Sequence, residues 1–294
     1  MVSYPLLSQQ QQRQCPKLKK TAKKLPVLFA DSTHQLWQCD SVDGLLILKV
    51  CNHSSIQGSS FWKGMNKLFK ADFPANLLHL AANSDQLAVI SPLEIPEIIS
   101  VEANRFVLAR WLYDEPIELE SITDEMVSQL ASHIGKCHQQ TKKTWGAFHH
   151  PVLSAEQWPM LLHETIMTLA QNAPKLISDD MLKMTLQESQ TIQAADFVPI
   201  MPDLRWDQFL QKNGRLSALV DLDAFVYGPR ELELVLLEYL LTSRQIEIFK
   251  KQYGQYVKIP DLTVVRRPYR VLLFFMNVLG EQNLDKWLNR DISL

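Results

Sequence analysis

Near Tyr113 the hydrophobic period of this chain changes from about two to about 3.6, and that change limits its folds more than any other feature. Before it, apolar residues form short blocks or alternate: Val27-Leu28-Phe29, Leu36-Trp37-Gln38-Cys39 and Leu45-Leu46-Ile47-Leu48-Lys49-Val50. Asp43-Gly44 marks a hairpin turn. A second hairpin is expected from Glu97 to Val101 and Arg105 to Arg110, turning at Ala103-Asn104. Ser59 to Lys70 carries the one helical spacing of this part. After Tyr113, helices are predicted at Met126 to Thr141, Glu156 to Gln171, Asp179 to Ala194, Glu231 to Phe249, Pro268 to Leu279 and Gln282 to Asn289. The pattern predicts an α+β protein with a small antiparallel-sheet lobe and a larger, mainly helical one.

At 294 residues the chain exceeds the usual single core, in keeping with two lobes. The expected divisions are a flexible basic arm over 1–24, a first lobe over 25–112 and a helical lobe over 113–294. A net charge of -2 gives no global basis for nucleic-acid binding. No window reaches the ~20 apolar residues of a membrane span. In the arm, Gln9 to Gln12 precede Lys17, Lys19, Lys20, Lys23 and Lys24. Such a run solvates a frayed terminus or meets an anionic surface. Cys15, Cys39, Cys51 and Cys137 are scattered, so a reduced cytoplasmic protein is expected. His149-His150 and Cys137-His138 lack zinc-site spacing.

The chemistry is concentrated in Met201-Pro202-Asp203-Leu204-Arg205-Trp206-Asp207-Gln208, followed by Leu219-Val220-Asp221-Leu222-Asp223. One acid sits in a loop, an amide lies five positions on, and a second acid ends an apolar triplet. Each carboxylate alone reads more readily as a turn or cap residue. Together they offer a group to orient a hydroxyl (Asp203) and oxygens for a metal (Asp221, Asp223 and Gln208). Lys49, midway along an apolar strand, either faces water from a sheet edge or aims its ammonium at an anion.

In order and spacing these segments resemble the aminoglycoside phosphotransferase and choline kinase-like family, distant relatives of protein kinases. That family has a His-Gly-Asp-x-x-x-x-Asn loop, an apolar-Asp-x-Glu/Asp strand end, then Gly-Asp-Pro before an Asp-Leu helix. Here Met201-Pro202-Asp203 and Gln208 stand at the first, Val220 to Asp223 at the second, and Tyr227-Gly228-Pro229 with Glu233-Leu234 at the third. Ile134 to His138 and Trp145-Gly146 are similar to the helix before the catalytic loop, and the resemblance covers about residues 25–290. It implies a bilobal protein-kinase-like fold that binds ATP and Mg²⁺ and phosphorylates a hydroxyl of a small molecule. Asp203 would be catalytic. Lys49 and the inter-lobe segment Arg110-Trp111-Leu112 would hold the nucleotide. Asp221, Gln208 and Asp223 would hold metal, and Trp158, Trp206, Tyr227 and Arg267 would surround the acceptor.

Three departures bear on activity. The loop lacks the family's His and Gly. The stretch Phe29 to Leu36, where a phosphate-covering loop would fall, contains no Gly, and glycine is what permits close backbone approach. No Glu lies between Asp43 and Leu93 to pair with Lys49, leaving Asp72 or Asp85 as substitutes. Two main readings follow: an active small-molecule kinase, or a pseudokinase that keeps the fold to bind a ligand or protein partner. A helical scaffold with a coincidental motif is a third.

Overall fold

The computed structural model describes residues 2–26, 29 and 31–294. Val27 and Leu28, read above as part of a strand, lie outside the described residues, as does Ala30. Alternating side chains build a first sheet from β1 (Lys23–Lys24), β2 (His34–Ser41), β3 (Gly44–Cys51), β4 (Ile98–Glu102) and β5 (Phe106–Arg110), antiparallel in the order β1-β2-β3-β5-β4. Both expected hairpins are present. The first turns at Val42-Asp43, with Ser41 Oγ accepting from Asp43 N–H and donating to Gly44 O. The second turns at Asn104, which takes a positive φ of 62°.

One face of this sheet buries Trp37, Cys39, Leu46, Leu48, Phe106 and Leu108. The chain's own N-terminus covers that face, which corrects the expectation of a flexible arm. Tyr4 and Leu7 are buried there, beside the short helix α1 (Gln9–Gln12). Tyr4 O–H donates to Pro16 O at 2.8 Å, and Gln11 Nε2 donates to Glu102 at 2.9 Å. The polar glutamines and lysines concealed two apolar anchors upstream of them. The lysines do remain exposed, Lys19 and Lys20 pairing with Asp40.

More helices follow than the single one expected: α2 (His53–Gly58), α3 (Ser60–Leu68), which packs on the helix Trp158–Asn172 of the second part, and α4 (Leu80–Ile90), which packs on β4. The spacing of α4 escapes a sequence reading because Asn83 and Ser84 are buried on the face it shares with Leu80 and Leu87; Ser84 Oγ donates to Pro96 O at 2.7 Å. The chain then leaves the sheet through β6 (Glu115–Pro116).

The second part holds α5 (Asp124–His138), β7 (Thr144–Ala147), β8 (Leu153–Ser154), α6 (Trp158–Asn172) and α7 (Asp179–Ser189), followed by β9 (Val198–Ile200), β10 (Phe209–Lys212), β11 (Arg215–Leu219) and β12 (Val226–Gly228). It closes with α8 (Arg230–Leu240), α9 (Ser243–Tyr253), α10 (Arg266–Phe275) and α11 (Leu284–Leu288). The single helix expected from Glu231 to Phe249 is two. Thr242 and Gln245 form a reciprocal capping box that starts α9 afresh. The strands form two small sheets, β11-β10-β6 and β8-β7-β12-β9. β10 and β11 are joined by Asn213-Gly214, both at positive φ (53° and 73°), the two-residue turn such a hairpin favours. Glu94 joins the halves next to β11: its N–H donates to Ser217 O at 2.8 Å, and Leu219 N–H donates to its carbonyl at 3.0 Å. No helix among the described residues is long and apolar enough to cross a membrane.

Candidate active site

Strand β3 lies inside the sheet, with Lys49 paired to Leu36 on one side and Val107 on the other. Lys49 is therefore not an edge residue. Leu46 and Leu48 face the N-terminal segment, so alternation sends Lys49 to the opposite face. There its Nζ lies 3.0 Å from Asp221 Oδ1 and 3.3 Å from Val220 O. Asp221 itself is thus the acidic partner that no residue of α3 provides. Asp72 lies instead in the exposed bend after α3.

The loop that carries Asp203 is anchored at both ends. At its start, Met201 N–H donates to Glu233 Oε1 of α8 at 2.7 Å, and Glu233 Oε2 takes the Nε2–H of His138 at 2.9 Å. Tyr253 O–H completes this buried network at 2.7 Å from His138 Nδ1. At its end, Val220 N–H donates to Gln208 O at 2.9 Å. That bond folds the β10–β11 hairpin back, so Asp221 returns to Asp203 although eighteen positions separate them in sequence.

Gln208 does not have the role expected for it. Its Oε1 accepts from Arg205 N–H at 3.0 Å, while its Nε2 donates to Asp203 O at 3.0 Å and Asp203 Oδ2 at 3.2 Å. The amide oxygen is spent on the backbone, so Gln208 braces the loop. The extra methylene relative to Asn lets it reach back to Arg205. The inter-lobe segment is tied to the first sheet. Arg110 is tied to Glu97 and to Asp43 O at the sheet margin, and Trp111 N–H donates to Leu45 O. Leu112, half-buried, has a side chain with no polar group. Of the expected acceptor residues, Trp158 and Tyr227 are core residues and Arg267 pairs with Glu188. Trp206 is buried with its Nε1–H directed at Leu240 O.

The electrostatics of the cluster are unbalanced toward negative charge. Burial pushes the Asp203 carboxyl up to about 7, with Arg205 opposing and Asp221 and Asp223 reinforcing the rise. Burial likewise raises Asp223 to about 7, against the pull of Lys49. For Asp221, burial is outweighed by Lys49, which holds it below the ordinary carboxylate value. Burial works against the Lys49 charge too, but Asp221 and Asp223 outweigh it and raise its pKa. Asp203 Oδ1 and Asp223 Oδ1 are both buried without a hydrogen-bond partner. His34, not singled out from the sequence, opens β2 and stands 3.7 Å from Asp223. Burial and then Lys49 lower it to about 4, so it is neutral there. A lone His in a polar stretch gave no sign of this placement.

No protein-family model matches the chain, and a search of curated proteins finds no match. Solved structures do match. A candidate fructosamine-3-kinase of Thermobifida fusca shares 15% identity over 92% of this chain and 91% of that one, with a TM-score of 0.63. A macrolide 2'-phosphotransferase, MphH of Brachybacterium faecium, shares 11% over 93% of each chain, with a TM-score of 0.55. The ADP-bound aminoglycoside phosphotransferase APH(2'')-Ib shares 13% over 94% of each, also at 0.55. The chain has their protein-kinase-like fold. Since the overlap runs through nearly the whole of each partner, both lobes and their connection belong to that fold. At such identities the likeness is one of backbone path; the chemistry rests on the side chains described above.

Proposed function

We propose that this protein is an ATP-dependent phosphotransferase acting on a hydroxyl group of a small molecule. One observation carries the reading: Lys49, Asp203 and the Asp221–Asp223 pair, contributed by three segments, meet in one site holding two buried carboxylate oxygens without partners. The free Asp223 oxygen and the surplus negative charge fit a divalent cation. Among the described residues no three acidic, His or Cys side chains converge as a complete metal cage. Mg²⁺ suits such a place, because it takes one or two carboxylates and fills its shell with water and phosphate oxygens. Asp221 would hold it, with Asp223 beside it, and when bound it would neutralise charge on the phosphates. ATP use is supported by the nucleotide in the similar APH(2'')-Ib structure.

The residues then have distinct tasks. Lys49 turns from Asp221 to the phosphate oxygens. Gln208 holds Asp203 Oδ2, leaving Oδ1 to take the proton of the acceptor hydroxyl. The hydroxyl oxygen forms a bond to the terminal phosphorus. The bond from that phosphorus to the bridging oxygen breaks, its electron pair leaving on ADP. A carboxylate titrating near 7 suits this, since a base is most useful when its pKa lies near the working pH. Four free thiols are in keeping with the cytoplasm as its compartment. The pseudokinase reading draws on two features, the glycine-free stretch from Phe29 to Leu36 and the Met201-Pro202 pair that stands where the loop would carry His and Gly.

The test is Mg-ATP binding and transfer to a panel of small alcohols. Asp203→Asn is expected to keep Mg-ATP binding and lose roughly 10²- to 10⁴-fold in turnover. Asp221→Asn is expected to weaken metal and nucleotide binding together. Equal transfer rates in wild type and Asp203→Asn would refute the catalytic assignment. Binding without any transfer would favour the pseudokinase.

A further inference from the structure

We propose that Arg205 is a contact for the terminal phosphate, supplying from a side chain the positive charge that a glycine-free cover cannot supply from its backbone. This inference rests on the phosphotransferase reading. Arg205 lies two residues after Asp203, and its charge acts on both Asp203 and Asp221. It is held from three directions. Its backbone N–H is fixed by Gln208 Oε1 at 3.0 Å. The edge of its guanidinium is held by Asp207, through Nε at 3.0 Å and Nη2 at 3.4 Å. The ring of Phe29 covers its face, 5.0 Å from Cζ.

A guanidinium carries five N–H donors. Two are used by Asp207, and the other three meet no acceptor among the described residues. An ion pair as exposed as Arg205–Asp207, each side chain more than a quarter accessible, contributes little to stability. Stability therefore does not account for so constrained an arginine. One side chain, Gln208, ties the Arg205 backbone to the Asp203 carboxylate, so the arginine and the group that would receive the acceptor's proton share one braced loop, where the transferred phosphoryl must pass. The planar fork of arginine matches phosphate oxygens there, and arginine at a transferring phosphoryl group is worth roughly 10³-fold or more. Phe29 belongs to the stretch with no glycine. Its ring on the guanidinium is a side-chain link between that stretch and the Asp203 loop, in the region where close backbone approach is denied.

The test compares Mg-ATP with Mg-ADP binding, by calorimetry and by melting, in wild type, Arg205→Gln and Arg205→Lys. A contact to the terminal phosphate predicts that Arg205→Gln weakens Mg-ATP by roughly 10- to 100-fold and leaves Mg-ADP nearly unchanged. Arg205→Lys should fall between, since it keeps the charge and loses the fork to Asp207. Turnover in Arg205→Gln should drop about 10³-fold. Unchanged Mg-ATP affinity, or equal losses for Mg-ATP and Mg-ADP, would overturn the assignment while leaving the phosphotransferase reading intact. A wild-type protein that binds no Mg-ATP would end both.

Discussion

Glu233 is the residue through which the helical lobe sets the position of Asp203, and replacing it tests that claim quantitatively. It is 3% exposed. Its two oxygens take the Met201 N–H at 2.7 Å and the His138 Nε2–H at 2.9 Å. Glu233→Ala leaves both donors buried and unpaired. At about 1–3 kcal/mol for each orphaned group, the loss is roughly 2–6 kcal/mol. For a chain of this length about 2 °C of melting temperature accompanies each kcal/mol, so a fall of roughly 4–12 °C is expected. Glu233→Gln is different. Its amide oxygen still accepts from Met201. Its amide N–H can donate to His138 Nε2, provided the ring proton moves to Nδ1 and is given to Tyr253. Met201 and His138 keep partners, and the losses are the charge-assisted strength and the acceptor of the Tyr253 hydroxyl, together about 1–3 kcal/mol, less than in Glu233→Ala. Turnover should follow stability, since Met201 is two residues before Asp203 and a 1 Å misplacement costs about 10²-fold. Thermal melts of the three ligand-free proteins and their kcat values decide the matter. If Glu233→Gln melts as low as Glu233→Ala, hydrogen-bond geometry does not hold the loop. If Glu233→Ala melts with the wild type, the network holds nothing.

Three further outcomes are expected. Turnover should rise with pH through about 7 as Asp203 loses its proton; a midpoint near 4 would refute its buried, raised pKa. Because Asp203 holds its proton more tightly folded than unfolded, its stabilising contribution is fully present below about 3.8 and lost as pH rises through about 7. The Mg²⁺-free wild type should therefore lose melting temperature over that window relative to Asp203→Asn, a comparison that cancels the opposite trend from buried His34 and His133. At the other end of the molecule, Glu238 is fully buried and binds Arg266, Arg270 and the backbone N–H groups of Ser293 and Leu294. Glu238→Ala strands the buried Arg270 charge and should cost about 3–5 kcal/mol, whereas replacing Glu238 and Arg270 together by Met should cost far less; equal losses would refute the pair as the cause.

The sequence was most legible where the period was clean. The β2–β3 and β4–β5 hairpins and α3, α5, α6 and α10 follow from alternation or helical spacing, and Lys49, Asp203 and Asp221 follow from their order. Partners brought together by tertiary contact were not legible. The Glu233–His138–Tyr253 network joins residues 95 and 115 positions apart, and no local pattern announces it. Gln208 carries the right polarity for a ligand, yet which of its atoms faces Asp203 is decided by the bare N–H of Arg205. The N-terminal residues read as solvated because polar composition outweighed two apolar anchors, Tyr4 and Leu7. The break between α8 and α9 was written in Thr242 and Gln245, but uninterrupted apolar spacing on either side masked it.

The absence of a Glu in α3 has consequences for how this site is held. Where a helix supplies the partner of the strand lysine, the position of that helix controls the lysine. Here α3 is committed elsewhere. Asn66 is occupied twice by the backbone of Phe73, at 2.8 and 2.9 Å. Lys67 reaches Glu164 of α6 at 3.7 Å. Gly64 lets the helix lie so close to Met276 that a β-carbon would stand 2.7 Å from its Cγ. The helix is thus packed against the second lobe and has no acidic side chain to offer Lys49. The lysine is set by β3 and answered by Asp221, which follows β11, itself linked to the first lobe by the Glu94 bridge. Lysine, metal-side carboxylate and loop carboxylate are therefore positioned by strand ends and a hairpin. A swing of α3 has no carboxylate with which to switch Lys49, so control over this lysine has to act through Asp221.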